Sequence, residues 1–275
     1  MQERAYRPAH SVRGGAVAGV ARLSAGWPGP AGRGIPARPG PAGRRLLALA
    51  ALLFAGICTL AQPSAMAAAD EADWVAGSNY IVLVPPQPTS VGPGKVEVTE
   101  VFSYACPACN AFHETVDRLR ASLPSNAVLD FVSAGFIPSE DWPMFQRAYY
   151  TAVELGLMNP RVHDAMFDAV WKTGQLAVVD PQTDRLKQPA PSIEDAAQFF
   201  AHETGVSAAK FVAASRSFAV DARVREANQY IQDCGVDQTP TIIVNGKYRM
   251  TPATAGGYDQ LIALVKYLVA KESGH

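Results

Sequence analysis

Two cysteines separated by two residues, Cys106-Pro107-Ala108-Cys109, are the residues here whose types and spacing most directly imply chemistry. Before them, Lys95 to Ala105 alternates apolar and polar residues, which reads as a β-strand. After them, Ala111 to Leu123 has helical spacing, with Phe112, Val116, Leu119 and Leu123 at three- and four-residue steps. The pair therefore lies where a strand hands over to a helix. Pro107 suits the first helical turn, because its missing N–H has no partner there anyway. The unpaired N–H groups and the positive end of the helix dipole favour a negative charge. For cysteine the charged form is thiolate, so the pKa of Cys106 should fall and its reactivity rise. Cys109 is about one turn along the same face, close enough to close a disulfide with Cys106. Both are candidate catalytic residues, and Pro107 and Ala108 complete the motif.

Three further positions could take part. Gln238-Thr239-Pro240 immediately precedes the apolar run Thr241–Val244. Proline gives no N–H to a strand ladder, so a cis bond in a tight turn is expected there; the alternative is a trans proline starting an edge strand. With Thr239 and Pro240 facing the cysteines, the Thr239 backbone could hold an extended peptide by strand addition. Glu100 lies six residues before Cys106 with its side chain on the side of residues 102 and 104. It is a candidate proton relay to Cys109, weighed against a solvated strand carboxylate. His113, one turn past Cys109, reads as a surface residue, and Cys234 as a small buried hydrophobe. A structural zinc site wants four ligands, usually from two such pairs, so no metal is expected.

The elements that must position these residues follow from the pattern. Asn79–Val84 is a short strand candidate closed by Pro85-Pro86. The strand before the cysteines, the helix after them and a second strand at Ala127–Val132 form a βαβ unit, whose strands should be parallel. From Trp142 to about Ser217 the spacing is helical, with aromatics at Trp142 to Tyr150 expected in the core and a loop at Asp180–Pro191. The β pattern resumes after a helix at Val220–Cys234, with Thr241–Val244, the turn Asn245-Gly246, and Lys247–Met250. A helix at Tyr258–Lys271 closes the chain. A helical block interrupting a β pattern is the signature of an insertion.

The first 67 residues belong to something else. Residues 1–43 are rich in Gly, Pro, Ala and Arg, and Arg44-Arg45 is followed by the apolar run Leu46–Leu60 and the small-residue pattern Ala65-Met66-Ala67. This is the layout of a secretory signal peptide; an uncleaved anchor is the alternative, although the run falls short of the roughly 20 apolar residues of a membrane span. The long stretch ahead of it suggests a translation start downstream of Met1. Residues 1–67 carry eight Arg and one acidic residue, which leaves 16 Lys+Arg against 24 Asp+Glu in the remainder. An acidic remainder argues against nucleic-acid binding. Export implies an oxidising compartment, where Cys106, Cys109 and Cys234 would remain and Cys58 would be lost with the signal.

A CxxC beside a βαβ unit points to a thioredoxin-like redox site. More specifically, Glu100-Val-Phe-Ser-Tyr-Ala-Cys-Pro-Ala-Cys-Asn-Ala-Phe112 resembles the active-site segment of the DsbA family of exported thiol:disulfide oxidoreductases. The likeness continues in Arg147–Ala152, His163–Asp168 and Val236–Tyr248, and spans roughly Lys95 to Lys271. It implies an α/β fold: a thioredoxin-like domain at 68–138 and 219–275 with an all-helical insertion at 139–218. It implies donation of a disulfide to unfolded exported proteins with free cysteines, with Cys106 as exposed nucleophile, Cys109 as its buried partner and Thr239-Pro240 as the cis-proline loop. It further implies a monomer in the periplasm, no cofactor beyond the cysteine pair, and reoxidation by a membrane quinone-linked protein of the DsbB type. A disulfide isomerase or reductase, and a non-catalytic peptide-binding chaperone, are the alternatives. Two departures stand out. Ala108 occupies a position where the family most often has histidine, which predicts a milder oxidant. The Val178–Pro191 loop looks long for the family, which could alter partner choice.

Overall fold

The computed structural model describes residues 74–274, so the signal-peptide and translation-start readings lie outside the described residues. A five-stranded sheet organises them. In chain order its strands are β1 (Ile81–Val82), β2 (Val96–Phe102), β3 (Ala127–Ser133), β6 (Thr241–Val244) and β7 (Tyr248–Met250), and their spatial order is β1-β7-β6-β2-β3. A separate two-stranded hairpin comprises β4 (Val179–Asp180) and β5 (Arg185–Leu186). The helices are α1 (Pro107–Ser122), α2 (Trp142–Glu154), α3 (Pro160–Trp171), α4 (Ile193–Thr204), α5 (Ala208–Ser215), α6 (Phe218–Asp233), the single turn α7 (Pro252–Ala255) and α8 (Tyr258–Glu272).

β2 and β3 are parallel, joined through α1, as the βαβ reading requires. β6 runs antiparallel to β2, with Glu100 opposite Ile242, and β7 returns antiparallel to β6 through the Asn245-Gly246 turn. Every residue of β2 is buried, because helices cover both faces of the sheet. On one face Val96 and Val98 pack with Ile242 and Val244 against Phe112, Val116 and Leu119 of α1 and Leu261, Leu264 and Leu268 of α8. On the other, Val101 and Ile243 meet Ala227, Ile231 and Cys234 of the α6 region. Helices α2 to α5 fall between β3 and α6 in the chain and join this second core through Phe145, Phe167, Phe200 and Phe211. The architecture is a thioredoxin fold with inserted helices.

Several sequence expectations change. The 79–84 strand shortens to Ile81–Val82, because it lies at the sheet edge and Val84, at 89% exposed, already enters the Pro85-Pro86 turn. The expected 180–191 loop overlaps the β4–β5 hairpin, which begins at Val179 and whose two-residue strands are too short to show alternation. The aromatics at Trp142, Phe145, Tyr149 and Tyr150 are core, as their helical spacing suggests.

Candidate active site

The Cys106 residue caps α1. Its φ and ψ of −80° and 118° are extended, Pro107 opens the helix, and the Cys106 sulfur accepts the Cys109 backbone N–H at 3.3 Å. The helix thus begins on the Cys106 sulfur. β2 ends at Phe102, and a turn closed by Cys106 N–H to the Ser103 carbonyl (3.2 Å) sets the sulfur at the sheet's end. From the other side of the chain the Thr239–Pro240 peptide bond is cis, and the Thr239 carbonyl accepts the Cys106 thiol at 3.5 Å. The Thr239-Pro240 turn therefore faces the cysteine pair across 133 residues of sequence.

Both thiols are unbonded here, and their environments pull them apart. The Cys106 pKa is lowered to about 6, chiefly by hydrogen bonding from Cys109, then by Thr239 and the backbone N–H groups of Cys109 and Ala108, against the opposing effect of burial. The Thr239 hydroxyl is buried and makes no well-aligned hydrogen bond, yet lies close enough to favour the sulfur's charge. Cys109 is fully buried, and that burial, with the neighbouring Cys106, holds its thiol well above the ordinary value. These surroundings favour the thiolate form at Cys106 and the thiol form at Cys109.

The exposed nucleophile implied by the resemblance is in fact 5% exposed. The helix N–H and the Thr239 carbonyl draw its sulfur inward, while Pro107 and Ala108 are the exposed residues of the motif. The Ala108 methyl adds neither charge nor hydrogen bond, so the thiolate form depends on the Cys109 thiol, Thr239 and the backbone donors.

Glu100 is 2% exposed, which removes the solvated-carboxylate alternative. It sits on a fully buried central strand, on the face covered by α1, and its pKa is raised to about 8, first by burial and next by Cys106. At neutral pH it holds a proton beneath the cysteines. His113 is not a surface residue. Its side chain is 18% exposed, its Nε2 lies 3.2 Å from Asp164 Oδ1, and its ring is 4.5 Å from that of Phe167. Helix α3 covers that side of α1, which helical spacing alone could not reveal. Cys234 is fully buried and its thiol is pushed up to about 11 by burial. Among the described residues, no group of three His, Cys, Asp or Glu is arranged to hold a metal ion.

One support was missed in the sequence. The Tyr104 hydroxyl and His163 Nδ1 are 2.8 Å apart, and Trp171 Nε1 donates to the Tyr104 carbonyl at 2.8 Å. These bonds tie the segment leading into Cys106 to α3. Burial lowers His163 to about 3, so it is neutral. The partners are 59 and 67 residues apart, and no local pattern links them.

The family model described as thioredoxin matches residues 93–263. The thiol:disulfide interchange protein DsbA of Pseudomonas aeruginosa is 33% identical over 205 residues, covering 74% of this chain and 89% of that protein. That of Azotobacter vinelandii is 30% identical, covering 83% of this chain and 98% of the relative. The crystal structure of Pseudomonas aeruginosa DsbA superposes with a TM-score of 0.62 at 33% identity, over 74% of this chain and 96% of that one. The oxidoreductase DsbA from Xylella fastidiosa gives 0.63 at 29% identity, over 73% and 98%. The likeness thus extends over most of the described fold, and the chain belongs to the DsbA family of thiol:disulfide interchange proteins, as a protein dithiol:disulfide oxidoreductase.

Proposed function

We propose that the protein is an exported disulfide donor, passing the Cys106–Cys109 disulfide to newly exported polypeptides with free cysteines. The observation that carries this is the asymmetry of the two thiols, one stabilised as thiolate and one buried as thiol. A substrate thiolate attacks the Cys106 sulfur of the disulfide. The Cys106–Cys109 bond breaks, and Cys109 leaves with its electron pair and takes a proton that Glu100 is placed to supply. The substrate's second thiolate then attacks the mixed disulfide, and Cys106 leaves as thiolate. Two electrons pass from the substrate to the cysteine pair. A good leaving group at Cys106 favours the reduced enzyme, which is what makes a disulfide oxidising.

On this reading Thr239 and Pro240 hold the substrate backbone, and the cysteine pair is the whole redox group, with no bound cofactor. Residues 68–138 and 219–275 form the catalytic domain and 139–218 the insertion. Residues 1–67 direct the chain to the periplasm, where it acts as a monomer and a quinone-linked membrane protein of the DsbB type reoxidises it. Among the described residues no helix is long and apolar enough to cross a membrane.

Ala108 favours keeping a reductase or isomerase as the second reading, since it lacks a side chain that could stabilise the thiolate further. The equilibrium reduction potential against glutathione separates the two. A value well above the thioredoxin range of about −270 mV supports a donor; a thioredoxin-like value overturns that reading.

A further inference from the structure

Tyr104, two residues ahead of Cys106, is gripped by α3 at two points. Its hydroxyl lies 2.8 Å from His163 Nδ1, and its carbonyl accepts the Trp171 indole N–H at 2.8 Å. His163 and Trp171 are eight residues apart on this one helix, a rise of about 12 Å. Two hydrogen bonds to points that far apart on a rigid element fix the rotation of Tyr104 as well as its position. The ring is held independently, fully buried with the rings of Phe102 and Phe167 each 5.0 Å away. The Trp171 bond therefore acts on the backbone.

That backbone has little else to fix it. The Ala105 N–H donates to the Ser103 hydroxyl at 3.3 Å, and the Cys106 N–H to the Ser103 carbonyl at 3.2 Å. These bonds join residues two and three apart, so they turn with the segment and cannot orient it. The Trp171 bond crosses 67 residues. Among the described residues it is the one hydrogen bond that reaches the backbone of Tyr104 or Ala105 from beyond this turn. Trp171 itself is only partly buried, at the edge of a recess shared with Ala105 and Pro107, so replacing it opens no sealed cavity.

The chemistry of the sulfur depends on where this turn places it. The Cys106 sulfur accepts the Cys109 N–H at 3.3 Å, and its charged form draws further on Thr239 and the Ala108 N–H. Such bonds lose strength steeply as they bend or lengthen. The Ala108 side chain adds no group to compensate for a misplaced sulfur. We propose that Trp171 is a positioning residue for the redox couple: through the Tyr104 carbonyl, its N–H fixes the turn that carries Cys106, and the inserted helices thereby set part of the oxidising power of the pair. Whatever aligns donors with the sulfur of the reduced form stabilises the dithiol over the disulfide, which makes the disulfide a stronger oxidant. The inference rests on Cys106 and Cys109 as the redox couple and is independent of the direction in which electrons flow in the cell.

The test is the equilibrium in which the Cys106–Cys109 disulfide and two glutathione thiols become the protein dithiol and glutathione disulfide, measured at about pH 8, where the Cys106 thiolate is fully formed. Trp171→Phe keeps an aromatic ring and removes the N–H. Trp171→Gln restores an amide N–H the same number of bonds from Cβ. Trp171→Phe should shift the equilibrium about tenfold toward the protein disulfide, the scale of one hydrogen bond to a charged group, or about 30 mV for two electrons. The midpoint of Cys106 thiolate absorbance should rise with it by about one pH unit. Trp171→Met, a second variant without the donor, should follow Trp171→Phe, and Trp171→Gln should stay within about twofold of the parent. A merely structural Trp171 would lower the urea midpoint of the variants and leave both the equilibrium and the absorbance midpoint unmoved. That result, or a Trp171→Gln shift as large as that of Trp171→Phe, would overturn the proposal. A thioredoxin-like potential in the unaltered protein removes the disulfide-donor reading alone, because the variants are judged by their ratio to the parent.

Discussion

The thiolate at Cys106 should make the stability of the reduced protein depend on pH with a definite sign. Its pKa is about 6 in the folded chain against an ordinary value of 9.0. A depressed folded pKa contributes stability that is complete above the unfolded value and is lost as pH falls through the folded one. The window is therefore pH 9 down to 6, and three pKa units correspond to about 4 kcal/mol across it. At pH 7 the folded thiol is about nine-tenths ionised and the unfolded one about one-hundredth, so about 1.4 kcal/mol is in place. For a two-electron couple that is about 30 mV toward the oxidising side. Glu100, with a pKa of about 8, is mostly neutral at pH 7 and does not oppose the thiolate. The perturbation is Cys106→Ser, compared with the unaltered protein in urea under reducing conditions at pH 5 and pH 7. The stability difference between the two should grow by about 1.4 kcal/mol over that interval, and thiolate absorbance should titrate with a midpoint near 6. Parallel stabilities at both pH values, or a midpoint near 9, would refute the assignment of the Cys109 thiol, Thr239 and the helix N–H groups as the stabilising groups.

Other consequences can be checked directly. Because the Glu100 pKa is raised from 4.5 to about 8, folding stability should fall as pH rises between those values, and Glu100→Gln should abolish this. The variant should gain about 3 kcal/mol relative to the parent between pH 4 and pH 7 in urea melts, and a constant difference would contradict the burial argument. Replacing Thr239 with valine removes a hydroxyl near the sulfur and should raise the Cys106 midpoint by about one unit, read by thiolate absorbance. Phe112 is fully buried and its ring lies 5.3 Å from that of Tyr258, so Phe112→Ala should cost about 3–5 kcal/mol in denaturant unfolding by loosening α1 from α8.

Local chemistry made much of this site readable. The alternation of Lys95 to Ala105, the helical spacing after Cys109 and the proline between the cysteines depend on residues close in sequence, whose periods are fixed by backbone geometry. They placed both cysteines at a strand-to-helix junction, and the structure starts α1 at Pro107. Helical spacing interrupting the β pattern marked the inserted helices, Pro240 ahead of an apolar run marked the partner loop, and the resemblance then joined them in one fold. Long-range packing decided the rest. Whether Glu100 met water or protein depended on α1 and the neighbouring strands closing over β2, and alternation on one strand cannot report what covers it. The burial of His113 depended on α3, and the Tyr104–His163 pair on contact across 59 residues. Even the exposure of Cys106 was a tertiary matter, set by the Thr239 carbonyl arriving from 133 residues away. Sequence by itself determined which groups could react; only the folded chain decided their protonation, because pKa follows burial and neighbours, and both belong to the assembled structure.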